Sequence, residues 1–268
     1  MTPTDLPFEP RDRAAYLPDA DALVLADLHL GKGEAAAVEL PLTGRVVERL
    51  DVLVERFEPG TVVLAGDVLH TYSRVTGAVV EAFDDLRERL ADVDLRVVAG
   101  NHDARLESLC GGAGGATGSD VGNTRGGADG DSVDGVDAGD GRDPPTTEPA
   151  AVLDSYRLPD GTLVCHGHEE PAGDAPRHVI GHDHPAIRIE GKRRPCYLYG
   201  EGVYRGGDVL ALPAFNPLAT GTLVNRMGRH DPASPLLADV RTFRPIVRDE
   251  AAGETYVFPP LGSSGAFL

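Results

Sequence analysis

Five short motifs of histidine, aspartate and asparagine occur in order along the chain, each directly after an apolar run. They are Asp27-Leu28-His29, Gly66-Asp67-Val68-Leu69-His70, Gly100-Asn101-His102-Asp103, His166-Gly167-His168 and Gly181-His182-Asp183-His184. The runs before them cover residues 23–26, 62–65, 95–99, 162–165 and 178–180. Short apolar, β-branched stretches of this kind read as buried strands. The chain therefore places metal-ligand residue types repeatedly at the carboxyl ends of strands, where open α/β sheets carry their sites. Singly, each motif also fits a plainer reading. An aspartate after a strand caps the next helix, a glycine permits a tight turn, and a His-Gly-His stretch makes a surface turn. Five in one order point instead to a shared site.

The donor types limit the metal. Cys110, Cys165 and Cys196 have no paired spacing, so a structural zinc site of thiolates is not indicated. Carboxylate, imidazole and amide donors suit manganese, iron, zinc or magnesium. There are too many of them for one tetrahedral ion. Two ions roughly 3.5–4 Å apart sharing a carboxylate account for the surplus, and such a pair clamps a phosphate and activates a water for attack on phosphorus in line with the leaving oxygen.

With these residues in place the chain resembles the calcineurin-like metallophosphoesterases, whose motifs run D-x-H, G-D, G-N-H-D/E, H and G-H-x-H. The resemblance spans residues 23 to about 190. The stretches around Asp27-Leu28-His29-Leu30-Gly31-Lys32 and Asp67, together with Leu212-Pro213-Ala214-Phe215, look closest to the SbcD-related archaeal phosphoesterases and to the bacterial PdeM-like proteins linked to a DNA ligase and helicase. The resemblance implies an α/β fold, a four-layer αββα sandwich of two mixed β-sheets flanked by helices. It implies that Asp27, His29 and His184 hold one ion, that Asn101, His166 and His182 hold the other, and that Asp67 bridges them. Manganese is the metal it favours, with zinc, iron or magnesium as alternatives. His102 would face the substrate and serve the leaving oxygen, supported by His70 where the phosphoprotein phosphatases use an aspartate. The place of His166 immediately after a strand favours it over His168 as a ligand, which leaves His168 either supporting the ligands or facing the substrate. Lys32, Tyr72, Arg74 and Arg105 follow motif residues closely and suit phosphate oxygens, solvated loop charge being the alternative.

The expected activity is phosphodiester hydrolysis on nucleotides or nucleic-acid ends, with a link to DNA repair and a helicase or ligase partner. Phosphomonoester hydrolysis and a metal-binding scaffold subunit are the competing readings. SbcD-type nucleases carry a further DNA-capping domain, for which the chain has little room after residue 220, so a small or single-stranded substrate, or a partner that supplies the nucleic-acid surface, is expected.

The rest of the chain sets the organisation. Helical spacing of Val46, Val47, Leu50, Leu53, Val54 and Phe57 predicts a helix over 43–57, ended by Pro59-Gly60. Strands over 61–65 and 94–99 with a helix over 76–91 complete a βαβαβ unit and imply a mostly parallel sheet. Residues 1–20 form a polar lead-in with an edge strand. Residues 111–149 hold almost no large apolar side chain and read as a disordered insertion. Beyond them, short β-like runs at 151–157, 162–165, 177–181, 186–190, 195–199 and 208–212 predict a second, mixed or antiparallel sheet completing one domain over 1–268. Residues 189–195 read as a hairpin turn with a basic tip, and 228–268 as loop-rich with strands near 241–248 and 255–258.

The formal net charge is −18, from 43 acidic against 25 basic residues, of which only Lys32 and Lys192 are lysines. That balance reads as a salt-adapted surface. It opposes polyanions at low salt, but at molar salt the screening length falls to about 3 Å and nucleic acid is not excluded. The amino terminus has no basic segment or apolar core of a signal peptide, and no apolar run reaches the roughly 20 residues of a membrane span. Three unpaired cysteines fit a reducing compartment, so a cytoplasmic location is expected.

Overall fold

A computed structural model describes residues 1–32, 42–70, 75–110, 151–227 and 232–263. The first half builds a six-stranded mixed sheet in the order β1 (Glu9–Arg11), β2 (Ala14–Leu17), β3 (Ala22–Leu25), β4 (Thr61–Ala65), β5 (Asp94–Val98) and β6 (Val152–Leu153). The first three strands pair antiparallel and the rest parallel. The crossovers run through α1 (Leu42–Phe57) and α2 (Gly77–Arg89), and α3 (Leu106–Cys110) follows β5. The Thr76 side chain caps α2 by accepting from the Val79 amide.

From residue 155 the chain continues through β7 (Ser155–Arg157), β8 (Leu163–Cys165), β9 (Arg177–Ile180), β10 (Pro185–Ile189), β11 (Lys192–Pro195), β12 (Tyr197–Tyr204), β13 (Gly207–Ala211), β14 (Thr222–Leu223), β15 (Arg244–Asp249) and β16 (Glu254–Val257). Seven of these form a second mixed sheet in the order β16-β15-β12-β13-β9-β8-β7, and β11-β10-β14 form a small third sheet.

Period-two alternation explains how the layers stack. On β3 and β4, Leu23, Leu25, Val62 and Leu64 face α1 and α2, where they meet Val46, Leu50, Leu53, Phe83 and Leu86. The alternate residues Ala22, Val24, Val63 and Ala65 face the second sheet, packing on Val164, Val179, Tyr197, Tyr199 and Leu210. Small side chains on one sheet thus accommodate tyrosines on the other. The far face of the second sheet, with Ile180, Leu198, Val209 and Ala211, is covered by Ile187 of β10 and by Leu236, Leu237, Val240 and Phe243. This fourth layer consists of 3-10 turns and the small sheet, because Pro235 and the short 234–243 segment allow single turns rather than a long helix.

The sandwich agrees with the expected α/β class, and the predicted elements of the βαβαβ unit fall within one or two residues of those observed. Two predicted strands divide. The run at 151–157 breaks at Asp154, giving β6 to the first sheet and β7 to the second. The run at 195–199 breaks at Cys196, ending the β10–β11 hairpin and starting β12. The lead-in forms the β1–β2 hairpin, and β14 has no sequence signal. The expected insertion at 111–149, Tyr72 and Arg74 lie outside the described residues. No helix among the described residues is long and apolar enough to cross a membrane.

Candidate metal centre

All five motifs converge at one end of the seam between the two large sheets. Asp27 and His29 follow β3, Asp67 and His70 follow β4, and Asn101 and His102 follow β5. From the second sheet come His166 and His168 after β8, and His182 and His184 after β9. The loops are knitted by backbone hydrogen bonds from Asp27 N to Gly66 O (3.0 Å), His29 N to Asp67 O (2.9 Å) and Gly181 N to His166 O (3.0 Å). The segment leaving β13 crosses the seam, its Phe215 amide donating to Ala26 O at 2.8 Å.

Asp27, His29, Asp67, His182 and His184 all lie in the left-handed region, with φ of 59°, 44°, 49°, 71° and 46°. Each such non-glycine residue costs of order 1–3 kcal/mol, a cost tolerated mainly where side-chain direction serves a site. Space is equally tight. A Cβ on Gly100 would lie 2.2 Å from Asp67 Oδ1, and one on Gly181 would lie 2.7 Å from Asp27 Oδ2.

Two groups of side chains converge closely enough to hold an ion each: Asp27, His29 and His184, and Asp27, Asp67 and His166. His184 Nε2 is 3.1 Å from Asp27 Oδ1 and 3.3 Å from His29 Nε2. His166 Nδ1 lies 3.1 Å from Ala65 O, and with Nδ1 as donor its Nε2 presents a bare lone pair. That lone pair faces two further acceptors, Asn101 Oδ1 at 3.2 Å and Asp67 Oδ1 at 3.4 Å. Lone pairs aimed at one point repel unless a cation lies among them, so the donor set fits a metal. His182 adds its ring 5.0 Å from that of His166, and its amide donates to Asp27 Oδ2 at 3.2 Å. The carboxylate common to both groups is Asp27. The charge of Asp67 nonetheless favours protonation of His29, His182 and His184 alike, so it acts on both sides of the centre.

Burial would raise the Asp27 carboxyl, but its hydrogen bond from His184 and the neighbouring His184, His166 and His29 charges leave it below the ordinary range. Burial opposes protonation of His184, and the same bond with Asp27 overcomes this and raises it. His29 is lowered to about 4, chiefly by burial, against the pull of Asp27 and Asp67.

The other expected residues take the rim. The half-buried rings of His70 and His102 each meet His29 edge-on, at 5.6 and 5.5 Å between centroids, and His102 Nε2 is 3.7 Å from Asp67 Oδ2. His168 sits 5.3 Å from the His166 ring and 6.1 Å from that of His182. Lys32 is near enough for its charge to oppose protonation of His29, His70 and His184. Arg105 is exposed.

Three supporting residues escaped the sequence reading. Buried Asp103 accepts from the amides of Gly100 (2.8 Å), Leu69 (2.9 Å) and Val68 (3.2 Å), tying the second motif to the third. Asn216 donates through Nδ2 to Leu28 O at 2.8 Å and His29 O at 3.2 Å. Arg49 of α1 pins the crossing segment, donating to Phe215 O at 2.7 Å and lying 4.3 Å over the Phe215 ring. Asp103 was visible as the last residue of its motif; Asn216 directly follows the quoted Leu212-Pro213-Ala214-Phe215. Asp103→Ala strands three amides, and at about 1–3 kcal/mol for each donor left unsatisfied, a loss of at least about 3 kcal/mol is expected. Urea unfolding with an unchanged midpoint would show that Asp103 is dispensable.

The family described as calcineurin-like phosphoesterase matches residues 21–218. The crystal structure of Pseudomonas putida nuclease MPE superimposes with a TM-score of 0.57 at 21% sequence identity, covering 92% of this chain and 92% of that one. No curated protein matches the chain significantly.

Proposed function

The chain belongs to the calcineurin-like phosphoesterase family and is a metal-dependent phosphoric ester hydrolase; from that premise we propose a dinuclear phosphodiesterase acting on nucleotides or nucleic-acid ends. The carrying observation is the pair of converging donor groups, with His166 Nε2 facing the Asn101 and Asp67 oxygens. Asp27, His29 and His184 would hold one ion, Asn101, His166 and His182 would hold the other, and Asp67 would be shared. Manganese is the metal we favour. When bound, such ions polarise the phosphoryl oxygen and lower the pKa of a water.

The remaining steps belong to the chain's own side chains. His102, half-buried beside Asp67, gives a proton to the leaving oxygen from Nε2. His70 keeps that ring in position. Lys32 and His168 orient the phosphate. The buried floor of Asp27, His29 and His166 excludes bulk water from beneath the reacting group, which strengthens each charge interaction there. A solved protein of the same fold is a nuclease, which accords with a diester substrate. The three cysteines are buried and unbridged, which accords with action in the cytoplasm. A repair helicase or ligase is the partner we favour, by family resemblance alone.

Metal-reconstituted protein tested on bis(p-nitrophenyl) phosphate and p-nitrophenyl phosphate separates the readings. Faster diester turnover is expected. Faster monoester turnover would make the protein a phosphomonoesterase, and metal binding with no turnover of either would make it a scaffold.

A further inference from the structure

His184 is also one wall of a second cavity, of about 240 Å³, which opens beside the metal centre. Four prolines (Pro185, Pro195, Pro213 and Pro217) and small residues make most of its surface, and Arg13 and Arg193 supply its charge. Neither arginine has a carboxylate partner among the described residues. Arg11, Arg49, Arg56, Arg89 and Arg96, by contrast, each have one. Arg13 uses only Nη1, on Ala214 O at 3.2 Å and Asn216 O at 3.1 Å. Arg193 uses only Nη1, on Gly221 O at 2.5 Å. Both keep most of their donors for something else.

The backbone adds an independent observation. Arg13 is the second residue of the two-residue β1–β2 turn, where Asp12 and Arg13 have φ of 41° and 70°. Turns of this shape take glycine at that position without strain. Here a large cationic side chain occupies it and is delivered to the cavity wall. Arg193 comes from a different element, the β10–β11 hairpin whose basic tip stood out in the sequence.

We propose that this cavity is a subsite for a second phosphate group of the substrate, gripped by Arg13 and Arg193, with the adjoining sugar or base against the prolines. The proposal rests on the phosphodiesterase reading and narrows it to substrates carrying a phosphate next to the scissile one. That phosphate is either the neighbouring diester of a strand or the terminal phosphate of a short nucleotide. Guanidinium groups suit it because their forked donors match phosphate oxygens.

Three substrates test this: the thymidine dinucleotide, its 5′-phosphorylated form and the trinucleotide. In the wild type, kcat/KM is expected to be about tenfold higher for at least one of the latter two, the worth of one charge-assisted hydrogen bond. A gain with the phosphorylated dinucleotide identifies a terminal phosphate, and a gain confined to the trinucleotide identifies a strand. Arg193→Gln and Arg13→Gly are expected to erase most of that ratio, the latter substitution also removing the turn strain. Equal turnover of all three by the wild type, or the ratio surviving in both variants, overturns the proposal. Calorimetric binding of thymidine 3′,5′-bisphosphate to chelator-treated protein reads the subsite apart from hydrolysis. If no substrate is cleaved but Arg193→Gln weakens bisphosphate binding about tenfold, the subsite stands and the hydrolytic reading falls; unchanged binding overturns the subsite.

Discussion

Asp67→Ala is expected to lose both hydrolysis and ion binding, with a drop in rate exceeding the roughly 10²–10⁴-fold carried by a single acid–base group. Asp67 is nearly fully buried, takes the His102 amide at 2.9 Å and stands 3.4 Å from His166 Nε2. Its charge also acts on His29, His182 and His184, so on the two-ion reading its removal would take compensation from both cations at once. Thermal unfolding provides a second readout. A ligand at 100 times its Kd stabilises a protein by about 2.7 kcal/mol, so added manganese should raise the wild-type Tm and leave that of Asp67→Ala almost unmoved. A variant that still binds two ions by metal analysis would show that Asp27, the carboxylate common to both groups, carries the sharing alone.

His102→Ala is expected to do the opposite: to keep its metal and lose a factor of about 10²–10⁴ in kcat. The His102 side chain is 27% exposed, and its Nε2 lies 3.7 Å from Asp67 Oδ2. The ring can therefore leave without removing a donor from either converging group. His70→Ala should reduce the rate as well, and the two losses should not add if the rings act as one unit. Metal content falling with His102→Ala would place the ring among the ligands instead, and additive losses would separate His70 from the chemistry.

These variants were conceivable from the sequence because the first-half signals are local. Val62-Val63-Leu64-Ala65 is apolar on both faces, as a strand between a helix layer and a second sheet must be, and Gly66-Asp67 marks its end. Asp154 and Cys196 were harder. Residues on both sides have strand character, and only their pairing assigns Val152 to distant β5 and Tyr156 to β8 in the other sheet. The supporting residues follow the same logic. Asp103 acts on amides 34 and 35 positions earlier, and Asn216 on carbonyls 187 and 188 positions away. Arg13 looked like part of a polar lead-in, since its cavity exists only once the β1–β2 hairpin meets the segment after β13.

The origin of the donors on two sheets has a mechanical consequence. Each converging group joins residues following β3 or β4 to a histidine following β8 or β9. Neither sheet owns a whole set. An ion in such a place acts as a rivet through two plates, resisting any slide of one sheet over the other along the alanine- and valine-lined seam. Loading the centre should then stiffen the molecule well away from it, with slower amide exchange in strands such as β12 that supply no donor. Chemistry and cohesion would share one fastener, and metal starvation would loosen the body of the protein as it silenced the site.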